Sequence, residues 1–276
     1  MTGKYKRELA AMLESDSLPE VTQDDTFTFG CVDVCMGRCC NTISIMLDPW
    51  DVETMARYLG LPGQEFLKEY CIYELDQRGG WPFVRLRHAE TGACAFMLPG
   101  GKCRVYPARS RNCRTYPLGR AVRVDRDGGE ARIEGKLFMV ERQKFCLGHG
   151  AGRVWTVREW LAEAAAEKYD ELSDLYIELI DYAGTGLAVD AWMTSGTAQL
   201  MAPLLFGADL LRKKVGVAPA EASHEEFYRR RLKALRALLT ELAACFGFGP
   251  KAGAAGGEMV SSVTMMEQVK NILIAG

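Results

Sequence analysis

Hydrophobic residues recur every three or four positions through most of the second half of the chain. This spacing is typical of amphipathic helices, and it runs through residues 155–183, 191–215 and 225–246 and again through 260–276. The glycine-rich stretch 246–258 lies before the last of these segments and is typical of a flexible linker. The pattern therefore predicts a helical C-terminal region.

The first half of the chain alternates short helical patterns with short strand patterns. Helical spacing predicts a helix over 4–15, a second between Asp48 and Gly60, and a third over 61–75. Asp48 can cap the second helix, Pro49 suits its first turn, and Gly60 can end it.

Runs of β-branched and aromatic residues predict the strands of the first half. We expect strands at 42–47, 82–88, 92–98, 120–126 and 131–140. Asp127-Gly128-Gly129 separates the last two and predicts a hairpin turn. Together the patterns predict an α+β fold with a cysteine-rich domain over 1–152 and a helical region over 153–276.

Composition and charge narrow the class of protein. The 276 residues are 48% apolar, enough for a sizeable core, and the net charge of −2 gives no reason to expect binding to nucleic acid or to an acidic membrane surface. No apolar run is long enough to span a membrane, and the N-terminus lacks the apolar segment of a signal peptide. We therefore expect a cytoplasmic protein, whose thiols are kept reduced.

Nine of the ten cysteines lie within the first 146 residues. Eight of them lie in or beside loops that contain glycine or proline, where the backbone can turn N–H groups toward sulfur. In a reducing compartment this pattern indicates metal binding rather than disulfides. The predicted metal ligands are Cys31, Cys35, Cys39, Cys40, Cys94, Cys103, Cys113 and Cys146. The other two, Cys71 on the third predicted helix and Cys245 in an apolar run, are predicted core residues.

Two metals suit this set of thiols. Eight cysteines could close two tetrahedral zinc sites of four thiolates each, or they could hold an iron–sulfur cluster such as [4Fe–4S]. The adjacent pair Cys39-Cys40 favours the cluster modestly, because neighbouring thiolates rarely reach one ion without strain. We expect an iron–sulfur cluster, with zinc as the alternative metal.

A basic stretch surrounds two of the predicted ligands. Residues 102–126 contain eight Lys or Arg and a single Asp. Arg104 and Arg114 directly follow cysteines, so their charge could compensate a dianionic metal–thiolate site and lower the pKa of the thiols. A solvated basic surface, or one that binds an anionic partner, is the alternative.

Other chemistry is sparsely represented. His149 follows Cys146 by three residues and is the one histidine we consider as a metal neighbour, although a surface position is the simpler interpretation. The chain has no nucleophile elbow, no phosphate-binding loop and no dinucleotide-binding turn. No catalytic residue is predicted, and whether the protein is an enzyme stays open.

The cysteine motifs resemble those of the YkgJ-type cysteine-cluster family, described as zinc- or iron-chelating proteins. The resemblance covers about residues 27–155: CMGRCC, a block from Cys94 to Pro117, and a late cysteine followed by glycines. Ten positions match the block, namely Cys94, Leu98, Gly101, Cys103, Tyr106, Arg109, Cys113, Arg114, Tyr116 and Pro117. Three positions depart from the family pattern: Ser110 and Leu147 replace prolines, and three residues rather than two separate Cys35 from Cys39.

Three functions follow from these observations. The first is a metal-cluster module that senses, stores or delivers iron. The second comes from the resemblance alone, because flagellin lysine-N-methylases are similar over the cysteine cluster, and it is protein lysine methylation. The third is a structural zinc protein whose helical half binds a protein partner.

Overall fold

A computed structural model describes residues 19–41, 43–76, 80–125, 132–140, 145–251 and 261–276. The chain divides into two compact units that interleave along the sequence. The cysteine unit comprises residues Met1–Leu47, Lys68–Ile72 and Val84–Glu171, and the helical unit comprises Asp48–Leu67, Tyr73–Phe83 and Leu172–Gly276. The predicted boundary at residue 152 stays a prediction.

Short antiparallel strands and helices confirm the α+β class with a helical C-terminal region. The strands are β1 (Glu20–Val21), β2 (Thr26–Phe29), β3 (Met46–Leu47), β4 (Cys71–Leu75), β5 (Pro82–Leu86), β6 (Leu118–Asp125), β7 (Arg132–Met139) and β8 (Arg153–Thr156). They form sheets with the orders β1-β7-β6, β2-β8 and β3-β5-β4. In the β6–β7 pair Leu118 lies opposite Met139 and Asp125 lies opposite Arg132.

The helices of the described residues follow the predicted order with two extra breaks. They are α1 (Pro49–Leu59), α2 (Gly63–Tyr70), α3 (Arg111–Thr115), α4 (Val157–Glu163), α5 (Ala166–Asp181), α6 (Ser195–Phe206), α7 (Ala208–Val215), α8 (His224–Cys245) and α9 (Ser262–Ala275). The predicted single helix over 155–183 breaks at Ala165, which adopts a left-handed φ of 49°. The predicted helix over 191–215 breaks at Gly207, whose N–H donates to the Pro203 carbonyl.

The ends of α1 show how local sequence determines local structure. The Asp48 carboxylate accepts from the Asp51 N–H at 2.7 Å, which satisfies one of the free donors of the first turn. Pro49 occupies the first helical position, where its missing N–H costs nothing. Gly60 ends the helix in the left-handed conformation with φ of 69°. These three expectations are confirmed.

Other expectations are corrected or lie outside the described residues. The predicted third helix ends at Tyr70, and Cys71 begins strand β4. Residues 92–98 form turns and isolated bridges rather than a strand. Strands β2 and β8 pair along their whole length although neither was expected. The predicted N-terminal helix over 4–15, the hairpin turn at 127–129 and most of the predicted linker lie outside the described residues.

Each unit has its own core. In the helical unit α8 packs against α6 and α9, and its fully buried face carries Phe227, Tyr228, Leu235 and Leu239. In the cysteine unit Phe96, Val105 and Leu118 are each at most 2% exposed. None of the helices in the described part of the chain is long and apolar enough to cross a membrane.

Candidate metal centre

The first four cysteines lie on a loop, residues 31–41, that turns twice. Two short 3-10 turns, Asp33–Cys35 and Cys39–Asn41, flank Gly37. Gly37 has a φ of 77°, a conformation that residues with a Cβ rarely adopt. The Cys40 N–H donates to the Gly37 carbonyl at 3.0 Å. The glycine therefore reverses the chain between Cys35 and Cys39 and lets one short loop present four thiols.

The next two predicted ligands, Cys94 and Cys103, are joined by a tight turn. Cys94 and Cys103 lie at the two isolated bridges His88↔Cys94 and Met97↔Cys103. The Leu98 N–H donates to the Lys102 carbonyl at 2.8 Å across this turn. Gly100 and Gly101 both adopt left-handed φ angles, 84° and 80°, which explains why the chain turns here instead of continuing as the predicted strand.

Backbone contacts hold this turn against the 31–41 loop. The Cys94 N–H donates to the Cys40 carbonyl at 2.7 Å. A Cβ on Gly37 would lie 2.6 Å from the Cα of Gly101, and a Cβ on Gly101 would lie 2.5 Å from the Met36 carbonyl oxygen. Both distances are too short for real atoms, so the two segments can approach this closely only because both positions are glycine.

Cys146, the last predicted ligand in the sequence, lies on a segment that contacts the start of the 31–41 loop. The Gly30 N–H donates to the Gly148 carbonyl at 3.2 Å, which brings the segment of buried Cys146 beside the start of the 31–41 loop. A Cβ on Gly148 would lie 2.8 Å from the Gly30 carbonyl oxygen. The ring of Phe29 packs edge-to-face on His149 and Tyr116, with centroid distances of 5.4 and 5.9 Å.

Electrostatic coupling between thiols shows which of these side chains are near one another. The charge of Cys39 raises the pKa values of Cys31, Cys94 and Cys103, although burial is the largest cause at each of them. Cys35 and Cys146 raise the pKa of Cys31 as well. Cys39 thus lies close to thiols of both sequence clusters, to Cys31 and Cys40 in the first and to Cys94 and Cys103 in the second.

The adjacent cysteines Cys39 and Cys40 are within hydrogen-bonding distance of each other. The Sγ atoms of Cys39 and Cys40 are 4.0 Å apart. A hydrogen bond from the Cys40 thiol lowers the pKa of Cys39 to about 6, and the same bond raises the pKa of Cys40 well above its ordinary value. Two ligands of one tetrahedral ion with bonds of about 2.3 Å are about 3.8 Å apart. The observed distance therefore does not by itself assign the two thiols to different metals.

The thiols are gathered but not arranged around a single point. Among the described residues, no three His, Cys, Asp or Glu side chains are placed as ligands of one metal ion. All ten cysteines are free thiols. The chemistry of the donor set fits a soft metal, since seven of the eight thiols lie on segments that backbone contacts hold together. Coordination would require their side chains to rotate.

Cys113 is the predicted ligand with the least defined surroundings. It lies on the short helix α3, is exposed, and its N–H donates to the Ser110 hydroxyl at 3.4 Å. Ser110 is 1% exposed and caps the helix, a role that proline at this position could not fill. The departure from the family pattern at Ser110 thus has a local structural reason.

The segment that carries the predicted metal ligands matches a known family of cysteine-containing domains. Residues 30–146 match the model of the CxxCxxCC family, described as "Putative zinc- or iron-chelating domain". This segment is similar to the cysteine-cluster domains that the model describes. The match covers less than half of the chain. No curated protein and no solved structure matches the chain.

The CxxCxxCC domain of this chain departs from the spacing in the family name. Three residues rather than two separate Cys31 from Cys35, and three separate Cys35 from Cys39. The additional residues lie in the two 3-10 turns and the Gly37 reversal, which shorten the path between successive thiols. The structure therefore accommodates the longer spacing within one compact loop.

Arg109, which the sequence interpretation listed in the family block without a role, lies near two of the predicted ligands. Its charge lowers the pKa values of Cys31 and Cys103, opposing the larger effect of burial. The 3-10 turn Tyr106–Ala108 places its guanidinium 3.9 Å from the centre of the Tyr106 ring. The signal was present, because arginine three residues after an aromatic residue at the start of such a turn can stack on it.

The two arginines predicted to compensate charge have other partners as well. Arg114 is 5% exposed, donates to the Ala164 and Pro107 carbonyls and stacks on Tyr169 at 3.8 Å. Arg104 donates to the Tyr70 hydroxyl at 3.4 Å. Arg114 thus organises the chain around α3, and charge compensation by either arginine stays a prediction.

The two cysteines that were predicted to be core residues, Cys71 and Cys245, differ in their exposure. Cys71 is 2% exposed, and burial raises its pKa to about 12, as expected of a core residue. Cys245 was predicted to be buried, and this is wrong: it is exposed. The buried face of α8 runs through Leu235, Leu239 and Ala243, and Cys245 lies off this face at the last helical position.

Proposed function

We propose that the CxxCxxCC domain holds an iron–sulfur cluster, with zinc as the competing metal, and that its role is to sense, store or deliver iron. The ligands we propose are the eight cysteines predicted from the sequence, Cys31, Cys35, Cys39, Cys40, Cys94, Cys103, Cys113 and Cys146. The observation that carries the proposal is that the backbone holds both sequence clusters together, through the bond from the Cys94 N–H to the Cys40 carbonyl, and that Cys39 lies close to thiols of both.

The sharing of Cys39 favours a polynuclear centre over separate zinc ions. Two independent four-thiolate zinc sites need each thiol to belong to one ion. A thiol that lies between two groups suits a centre in which several metal atoms share one region. An iron–sulfur cluster bound there would supply one-electron transfer.

Residues of this chain would prepare the site for an anionic centre. Arg109 supplies a positive charge that lowers the pKa values of Cys31 and Cys103. Tyr116 lies near the same thiols. Burial first, and then the interaction of its hydroxyl with Cys146 and the charge of Cys39, raise the pKa of that hydroxyl. A neutral phenol beside thiolates adds no further negative charge.

The other two functions stay predictions. Lysine methylation rests on the resemblance alone, and no feature of the described residues favours it. A structural zinc protein with a partner-binding helical half is compatible with the same cysteines, and the protein partner has no further support.

The proposal is tested by metal and sulfide analysis of protein purified without oxygen. We expect iron and acid-labile sulfide together with broad absorption near ~400 nm. We expect Cys39→Ser to lose most of the metal and the exposed Cys245→Ser to keep all of it. A colourless protein with stoichiometric zinc would exclude the cluster, and full metal content in Cys39→Ser would exclude the central role of Cys39.

A further inference from the structure

The helical unit contains a cavity that the metal-binding domain does not use. It has a volume of about 470 Å³ and lies between α1, the start of α2, the end of α6, α7, the loop 216–219 and the start of α8. All of these residues belong to the helical unit. The volume falls within the range of about 300–1,000 Å³ that is typical of sites for small molecules.

Much of the cavity wall is apolar. Leu61, Phe206, Ala208 and Val217 line it, and three of these four are buried. Such a surface favours a ligand with a hydrocarbon body, because burial of apolar area contributes about 25 cal/mol per Å².

Three cations also line the cavity, and none forms an ion pair within the described part of the chain. They are Arg57 on α1 and Arg212 and Lys213 on α7. The two carboxylates of the wall are already engaged. Glu53 pairs with the buried Arg231, and Asp209 accepts from the Gly63 N–H at 3.2 Å. The three cations of the wall therefore outnumber its two carboxylates, one of which is already paired with Arg231.

Arg212 shows the imbalance most clearly. It is 7% exposed, yet its guanidinium donates only to backbone carbonyls, with 2.7 Å to that of Ser223 and 3.5 Å to that of Ala218. Its Nε is buried and has no acceptor among the described residues. A cation this deeply buried is normally paired with an anion.

The surrounding charges agree with this geometry. Burial lowers the pKa of Arg212, and Glu53 opposes that effect. The positive charges of Arg231, Arg230 and Arg57 lower it further. An anion in the cavity would relieve this repulsion.

We propose that this cavity binds a small amphipathic anion, a carboxylate carried on an apolar chain or ring. The carboxylate would lie near Arg57, Arg212 and Lys213, and the apolar body would lie against Leu61, Phe206 and Val217. The site is separate from the proposed metal centre and does not depend on it.

The first experiment compares ligands that differ only in charge, by calorimetric titration of the full chain. We expect octanoate to bind with one-to-one stoichiometry and 1-octanol and octylamine to bind at least ten times more weakly. Equal affinity for octanoate and octanol would overturn the role of the cations. Equal affinity for inorganic phosphate would overturn the role of the apolar wall, and the absence of octanoate binding at millimolar concentration would overturn the proposal.

The second experiment locates the site with variants. We expect the double substitution Arg57→Gln and Lys213→Gln to weaken octanoate binding about tenfold or more. Lys214→Gln, on the same helix but outside the cavity wall, should bind octanoate like the unchanged chain. Ala218→Trp places a large ring at an exposed position of the wall and should abolish binding.

These variants keep the result interpretable. Circular dichroism shows whether each variant folds, and the double charge substitution at exposed positions decides the matter if Ala218→Trp does not fold. Metal content should be the same in all of them, which separates this test from that of the metal centre. Unchanged octanoate affinity in the double variant would place the binding elsewhere and overturn the assignment.

Discussion

Glu53 of the helical unit is a buried carboxylate between an arginine and a histidine. It is 7% exposed and pairs with Arg231, which is fully buried. His224 Nδ1 lies 3.2 Å from the other carboxylate oxygen. Arg231 also donates to the Leu204 and Leu205 carbonyls at 3.1 and 3.0 Å. The pair thus links α1, α6 and α8 through one charged contact.

Removal of one partner of this pair should be strongly destabilising. In Arg231→Leu the buried Glu53 carboxylate loses its counter-charge, and we expect the free energy of unfolding to fall by about 3–5 kcal/mol. Urea denaturation measures it. Lys233→Ala, an exposed cation on the same helix, should change it by less than about 0.5 kcal/mol. A double variant with Glu53→Leu should recover part of the loss, and no recovery would contradict this account.

The same carboxylate predicts a pH dependence. Burial raises the pKa of Glu53, but Arg231 and His224 outweigh it, so the folded pKa lies below the ordinary value of 4.5. A lowered pKa stabilises the fold above the ordinary value, and this contribution is lost as the pH falls toward the folded pKa. The stability difference between the unchanged chain and Glu53→Gln should therefore be constant at about pH 5–6 and shrink below 4.5. Urea midpoints measure it, and a constant difference down to about pH 3 would be inconsistent with the lowered pKa.

At the scale of elements, backbone atoms set how closely the 31–41 loop approaches the 94–103 turn. Gly101 and Gly100 are adjacent, and both have left-handed φ angles. A Cβ on Gly101 would meet the Met36 carbonyl at 2.5 Å, whereas a Cβ on Gly100 would meet nothing within 4 Å. Both positions therefore require the left-handed conformation, but only Gly101 lies against the Met36 carbonyl.

This pair of glycines provides a matched test of the contact. Both Gly100→Ala and Gly101→Ala should lose about 1–2 kcal/mol to the left-handed backbone. Only Gly101→Ala should also separate the loop from the turn, and we expect it to lose metal while Gly100→Ala retains it. Metal content per chain and thermal unfolding measure the two effects. Similar metal content in both variants would show that the contact is dispensable.

The elements also show what the sequence can and cannot predict. The limits of α1 follow from Asp48, Pro49 and Gly60, whose effects are local. The break at Ala165 lies in an alanine-rich run without glycine or proline, so no local signal marks it. The β2–β8 pairing joins residues more than a hundred positions apart, and the partner of a short strand depends on the whole fold.

The candidate metal centre could also be predicted only in part from the sequence. The identity of the predicted ligands follows from cysteine spacing in glycine-containing loops, which is a property of the sequence. The central position of Cys39 and the effect of Arg109 on the thiols depend on contacts between distant segments, which spacing alone does not encode.

At the scale of the whole molecule, the cysteine unit has its own strands and core, so we expect its fold to survive without metal. Chelation should lower its thermal transition, because a ligand that binds only the folded state stabilises it. It should leave the far-ultraviolet circular dichroism nearly unchanged. Collapse of the signal on chelation, as in zinc fingers, would indicate a structural metal instead.

The hydrogen bond from Cys94 to Cys40, and the one from Gly30 to Gly148, have a consequence for the speed of metal exchange. The chain closes these long loops when it folds, so a metal that arrives later meets segments already in place. The proposed metal would then be bound through local rearrangement of side chains and not through refolding of the chain, which takes about microseconds to seconds. Entry and release of the metal would therefore be governed by the metal–sulfur bonds and not by the closure of these long loops.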